Sequence, residues 1–337
     1  MDSYDPMEVN DDSDEVSDDF SVLSGESSEL GDNPLELSRA MLKRYEASGD
    51  TSHLDDAVQT VRGALVLNSL DSGLVVQLGY LLHIRYKCLG RADDNEEALS
   101  LPCRVLDLTS DQDPDKLNML NNLGAHLQSR FEREGELEDL EGAILVNRRA
   151  VDLTPDGHPD KPIYMNNLGI SLQTRFERVG ELEDIEDAIQ VQRHAVNLTP
   201  DDHPHKPSCM HNLGISLQIR YERVGQLTDL EAAISVNRNS VELTPDGHPH
   251  KLGYMSNLGI SLQSRFGRVG ELGDLEAAIS VQRRAVDLTP DGHPGKPSHM
   301  SNLGKSLQSR FERVGELADL EAAISVNRNS VELTPDG

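Results

Sequence analysis

PIYMNNLGISLQTRFERVGELEDIEDAIQVQRHAVNLTPDDHPHK, residues Pro162 to Lys206, is a 45-residue unit that recurs along the chain in constant register. The triplet Asn-Leu-Gly ends at Gly124, Gly169, Gly214, Gly259 and Gly304. An arginine-aromatic pair follows each time, at Arg130-Phe131, Arg175-Phe176, Arg220-Tyr221, Arg265-Phe266 and Arg310-Phe311. Degenerate copies lie upstream, where Leu78-Gly79 with Arg85-Tyr86 keeps the step and Arg44-Tyr45 precedes them by a slightly shorter one. Seven units fit, over about residues 35–70, 72–110, 117–155, 162–200, 207–245, 252–290 and 297–337. A period of this size marks a solenoid, because one unit cannot bury its own apolar face and must lean on its neighbours.

Within the unit, Met165, Leu168, Gly169, Leu172 and Phe176 fall at steps of 3, 1, 3 and 4, which draws one stripe on a helix. A second stripe runs through Leu182, Ile185, Ala188, Ile189, Ala195 and Val196. Val179-Gly180-Glu181 between them is short enough to force an antiparallel hairpin, with Gly180 left-handed just past a helix end. Thr199-Pro200 ends the second helix, Asp201 and Pro204 shape a polar loop, and Pro162 or Pro207 suits the first turn of the next helix. Glycine in mid-helix costs about 1 kcal/mol relative to alanine, yet six units carry one. Close helix approach is the expected reason, with Ala188 and Ala195 as the complementary surface.

Leu168-Gly169, Ala188, Ala195 and Pro200 together resemble the tetratricopeptide repeat, with its Leu-Gly in the first helix, two alanines seven apart in the second and a closing proline. The chain departs from that family in having no Trp, in placing Leu172 where a Tyr is usual, and in exceeding the family unit of about 34 residues. The extra length falls mainly between Gly169 and Ala188 and in the Asp-x-His-Pro-x-Lys loop, which implies longer helices. Long units of this kind resemble kinesin light chain repeats and, more closely, the arrays that precede a caspase-like CHAT domain in many fungal proteins. Over residues 35–337 the resemblance implies an all-α, right-handed α-α superhelix of about seven TPR-like hairpins, whose first helices line a concave, peptide-binding groove.

Residues 1–34 are a different material, with twelve Asp and Glu, seven Ser and no Lys or Arg. Too few apolar residues are present to offset the entropy of ordering, so a disordered acidic tail is expected, with Phe20, Val22 and Leu23 as a conceivable docking motif within it. Net charge is −28; the tail supplies 12 negative charges, which leaves −16 on the repeats. That balance argues against nucleic acid, which needs a basic surface. No apolar run reaches the roughly 18 residues of a membrane span, and the acidic start is unlike a secretion signal. Cys88, Cys103 and Cys209 are odd in number and unmatched in the repeat, which suits thiols of a reducing compartment and a cytoplasmic location. The chain stops in mid-loop at Thr334 to Gly337 with no capping helix, as expected of a fragment or of an end covered by a partner.

Asn122, Asn167, Asn212, Asn257 and Asn302, each just before Leu-Gly, match groove positions that touch peptides in tetratricopeptide arrays; Gln128, Gln173, Gln218, Gln263 and Gln308 follow six residues on. An amide carries both donor and acceptor, so such a ladder can hold an extended peptide backbone, or each Asn can bond a neighbouring helix and hold the stack. Arg130, Arg175, Arg220, Arg265 and Arg310 face acids in the second helix's first turn, such as Asp139, Asp184, Asp229, Asp274 and Asp319. That pattern suits a structural ion-pair row, or a basic groove for an acidic peptide. His158, His203, His248 and His293 recur in the loops, but histidines one repeat apart cannot converge on one zinc, so no metal and no cofactor are expected. Cys209 stands at a helix position that carries Tyr or His in other units, and no phosphate-cradling loop is present, so no catalytic residue is assigned. The expected function is a protein-interaction scaffold holding an extended peptide or partner on the concave face, not an enzyme. The alternative is the regulatory repeat region of a larger CHAT peptidase whose catalytic domain is outside this sequence. Partner identity and oligomeric state stay open.

Overall fold

The computed structural model describes residues 33–333. Among them are fourteen helices and no strand: α1 (Pro34–Ser48), α2 (Ser52–Leu67), α3 (Ser72–Leu89), α4 (Ala92–Leu106), α5 (Pro114–Glu134), α6 (Leu137–Leu153), α7 (Lys161–Val179), α8 (Leu182–Leu198), α9 (Lys206–Val224), α10 (Leu227–Leu243), α11 (Lys251–Val269), α12 (Leu272–Leu288), α13 (Lys296–Val314) and α14 (Leu317–Leu333). The all-α class and the seven first-helix, second-helix pairs are those the period implies. The helices fall into two compact units, α1–α7 and α8–α14, divided between Gly180 and Glu181. The acidic stretch up to Asp32, including Phe20, Val22 and Leu23, and the terminal Thr334 to Gly337 lie outside the described residues.

Each turn between paired helices rests on a backbone conformation that only glycine takes freely. Gly225 sits at φ 77° and its N–H donates to Tyr221 O at 2.7 Å, closing α9 in a left-handed cap. The acids that follow, such as Asp229 in the first turn of α10, meet the positive end of the next helix.

Within each compact unit apolar contacts run between consecutive helix pairs. In the first unit one core joins Leu54, Val58 and Val61 of α2, Leu78, Leu81 and Leu82 of α3, and Met119, Leu120 and Leu123 of α5. In the second, Leu230 and Ile234 of α10 pack with Leu258 and Leu262 of α11 and Ala278 of α12; Leu275 and Ile279 of α12 repeat this with Leu303 and Leu307 of α13. Each fully buried Leu or Ile contributes about 1.5–3 kcal/mol.

The reason for the mid-helix glycine differs from the expected one. The paired alanines are buried, but what approaches the glycine is an amide side chain of the second helix in the same pair. A Cβ built on Gly214 would lie 2.1 Å from Asn237 Oδ1, one on Gly304 2.0 Å from Asn327 Oδ1, and one on Gly124 2.3 Å from Asn147 Oδ1. Gly259 meets Gln282 in the same way, Cγ at 2.7 Å. The glycine is the hole into which a buried amide fits.

The exit loop is also closed differently. Thr199 Oγ1 donates to Ala195 O at 2.7 Å and ends α8. His203, not Asp201, makes the side-chain bond that shapes the turn, its Nδ1 accepting from His205 N–H at 3.2 Å. Lys206 then reaches back, Nζ donating to Thr199 O at 2.7 Å and Val196 O at 2.9 Å, with Asp201 at 3.1 Å as its counter-ion. A buried ammonium thus satisfies carbonyls that a helix end leaves open. Lys161 and Lys296 repeat the contact on Thr154 O and Thr289 O at 2.7 and 2.8 Å.

Candidate functional site

The asparagines before Leu-Gly lie one turn or two into the first helices, and their amides point along the stack. Asn122 Nδ2 donates to Val76 O at 3.3 Å, Asn167 Nδ2 to Asn121 Oδ1 at 2.8 Å, and Asn302 Nδ2 to Ser256 Oγ at 3.2 Å. Asn257 Nδ2 lies 3.4 Å from the His211 ring nitrogen Nε2. Every one of these bonds runs to the preceding first helix within the same unit. Asn212 holds the same register on α9 and is buried.

The glutamine row bonds in the opposite direction. Gln128 Nε2 donates to Glu132 Oε1 at 3.1 Å on its own helix and to Thr174 Oγ1 at 3.3 Å on the next first helix; Gln218 does the same with Glu222 at 2.8 Å and Ser264 at 3.2 Å. Gln173 and Gln308 reach Glu177 and Glu312 at 3.0 and 2.9 Å. Gln263 is half-buried and has Gly267 where the others have the glutamate. Within each compact unit most of these amides are tied through Nδ2 or Nε2 to a neighbouring first helix or to their own.

The arginines are used inside their own pairs. Arg220 grips Asp229 with both prongs, Nε to Oδ2 at 2.9 Å and Nη2 to Oδ1 at 2.5 Å, and Arg310 grips Asp319 at 2.8 and 2.5 Å. Arg265 with Asp274 and Arg130 with Asp139 have the same fork, Nε at 2.8 and 2.6 Å. The carboxylate hydrogen bond raises the pKa of each of these guanidinium groups, and Arg310 in turn lowers that of Asp319. Arg175 occupies the same register on α7. A fork committed to a buried aspartate has little left for an acidic ligand.

Three things escape the repeat pattern read from sequence. The loop lysine reads as a solvated charge and is instead a helix cap. Asn147, Asn237, Gln282 and Asn327 of the second helices fill the glycine holes, and Asn147 Nδ2 donates across to Ser171 Oγ at 3.2 Å. Several histidines are buried at registers other units give to Asn, Gln or Ser: His83, His126 and His211. Burial also pushes the Cys209 thiol up to about 11, which keeps it protonated and unreactive. Among the described residues no three His, Cys, Asp or Glu side chains gather as a metal site. No described helix is long and apolar enough to cross a membrane.

Residues 117–160 and 164–205 match the tetratricopeptide repeat family model, and residues 270–291 match a second model of the same description. Over those residues the chain is similar to tetratricopeptide repeats, and the other units copy the matched ones in register. Among solved structures, BtubC (BKLC) from P. vanneervenii is similar over 76% of this chain and 91% of its own, at 18% identity and a TM-score of 0.51. At that identity the likeness is one of fold. The Podosopora anserina putative kinesin light chain nearly identical TPR-like repeats match over 65% and 98%, at 15% identity and a TM-score of 0.48. YrrB, a TPR protein with an unusual peptide-binding site, matches over 70% and 95%, at 17% identity and 0.43. Sequence comparison with curated proteins finds no match.

Proposed function

We propose that this chain is a protein-interaction scaffold that holds an extended peptide segment against the face made by its first helices, the concave face in the arrays it resembles. The observation that carries this is the half-used amide ladder. Asn167, Asn257 and Asn302 are only half-buried and each commits one Nδ2 proton to the helix before it, while the Oδ1 acceptor makes no bond to the protein. An amide plane fixed on one side and open on the other is preorganised, so a peptide N–H can join it at small entropic cost. Asn257 and Asn302 stand on consecutive repeats of the second compact unit, which suits a ligand with regularly spaced backbone groups, and they read no particular side chain.

The test is the full chain carrying Asn257→Ala and Asn302→Ala, assayed on an array of extended peptides with helicity followed by circular dichroism. Two lost hydrogen bonds at about 1 kcal/mol each weaken capture about 30-fold while the helices persist. Unchanged capture by the folded double variant overturns the reading.

A further inference from the structure

His83 on α3 and His126 on α5 meet edge to face, ring centroids 4.8 Å apart, and both are buried. His126 Nε2 lies 2.9 Å from Gly79 O; a carbonyl only accepts, so Nε2 carries the proton and Nδ1 the lone pair. That Nδ1 and both ring nitrogens of His83 are buried without a partner in the protein. One repeat later the two registers hold Gln128 and Ser171, which do not titrate. The interface is also short of another tie. Pro102 of α4 stands at the register of Asn147, so the amide bond that Asn147 makes to Ser171 has no counterpart here.

We propose that His83 and His126 are an acid-operated release for the packing of α5 on α3. A proton taken up by either ring creates a cation in a dry interface, where it must find water or an anion. Among the described residues no carboxylate is bonded to either ring. Lys87 and His126 oppose a positive charge on His83, and only the Gly79 carbonyl bond favours one on His126 against its burial. The nearest forks are already committed, Arg85 to Asp94 and Asp55 on one side and Arg130 to Asp139 on the other, while Arg133 lies over the Tyr86 ring. Water reaches the rings when α5 separates from α3. Three side-chain bonds tie α5 to α3 carbonyls, from Asn122 to Val76, His126 to Gly79 and Arg133 to Tyr86, and the middle one is the titrating group. Release therefore frees α3 from the helix where the asparagine row begins.

The direction follows from burial, which holds His126 down at about 4 against an ordinary 6.5 and His83 well below the same value. The open state binds more protons between those limits, so closure is complete above 6.5 and is lost as pH falls toward 4. At about pH 5 the closed state loses on the order of 30-fold through His126 alone.

The experiment is hydrogen exchange read by mass spectrometry on the full chain at about pH 7, 6 and 5, corrected for intrinsic rates, following peptides of α3 and α5. The comparison is the double variant His83→Gln with His126→Ser, the residues used one unit on. Protection in the native chain is expected to fall about 30-fold or more by pH 5 and to hold in the variant. Unchanged protection in the native chain, or an equal fall in the variant, overturns the proposal. Should the variant not fold, proton titration of the native rings by NMR decides: midpoints near 6.5 sink the idea, and midpoints displaced well downward sustain it.

Discussion

Asn237 Nδ2 donates to Ser261 Oγ at 3.3 Å between α10 and α11, while Gln282 and Ser306, at the same registers one pair later, make no such bond. Both amide atoms of Gln282 and the hydroxyl of Ser306 are buried without a partner in the protein. A buried unsatisfied polar group costs about 1–3 kcal/mol. The alternation of Asn and Gln along the second helices is therefore an alternation between tied and untied interfaces. Gln282→Asn should install the missing bond and raise stability by about 1 kcal/mol, read as a higher urea midpoint at unchanged slope. A lower midpoint would show that the longer side chain is needed to fill the Gly259 hole.

The hole itself is testable. Gly214→Ala gains about 1 kcal/mol in helix propensity but places a methyl 2.1 Å from Asn237 Oδ1, so the amide must leave its seat and its bond to Ser261. A net loss of about 1–3 kcal/mol is expected. Asn237→Ala removes the obstructing group, so the double variant should be more stable than the sum of the two single losses predicts, a coupling above about 1 kcal/mol in a double-mutant cycle. Additive losses would mean that the glycine serves something other than the amide.

How much of this was readable beforehand depended on whether the contact was local. The hairpin turn at Gly225 and the fork of Arg220 on Asp229 join residues a few positions apart, and complementary charges recurring in every unit announce themselves. The fit of Asn237 against Gly214 joins positions 23 apart on two helices, where only the backbone geometry says which side chain enters the hole. Lys206 was hidden for a different reason. A lysine among Asp, His and Pro looks solvated, and nothing in its neighbours shows that its stem folds back over the helix it follows until the residue is only 6% exposed. Asn167 was legible as a recurring amide, but not the direction of its bond, which two helix faces could equally have received.

Lys206 provides a direct comparison between loops. Its ammonium holds two carbonyls, of Val196 and Thr199, and is buried, whereas Lys296 reaches only Thr289 O and the exposed Asp291. Lys206→Met leaves the Val196 and Thr199 carbonyls without their donor and should cost about 1–3 kcal/mol. Lys296→Met should cost less than half as much. Thermal unfolding of the two variants side by side checks the order, and equal costs would mean that the lysines act through charge alone.

His211 should make the second unit sensitive to acid. It is fully buried on α9, its ring 4.5 Å from that of Tyr254 and bonded to Asn257 Nδ2, and burial with His250 nearby holds it down to about 3. A lowered histidine pKa means that the unfolded chain takes up the proton first. The stabilisation is whole above about 6.5 and declines as pH falls toward about 3. At about pH 5 the loss from this one ring is about 2 kcal/mol. The preceding units place Asn121 and Asn166 at this register, and Asn121 Oδ1 accepts from Asn167 at 2.8 Å. His211→Asn is therefore expected to keep the tie to Asn257 and to remove that share of the decline. Urea midpoints of α8–α14 signals at about pH 7 and 5 measure it: the native chain should lose about 2 kcal/mol more than the variant. An identical decline in both would place the acid-sensitive group elsewhere.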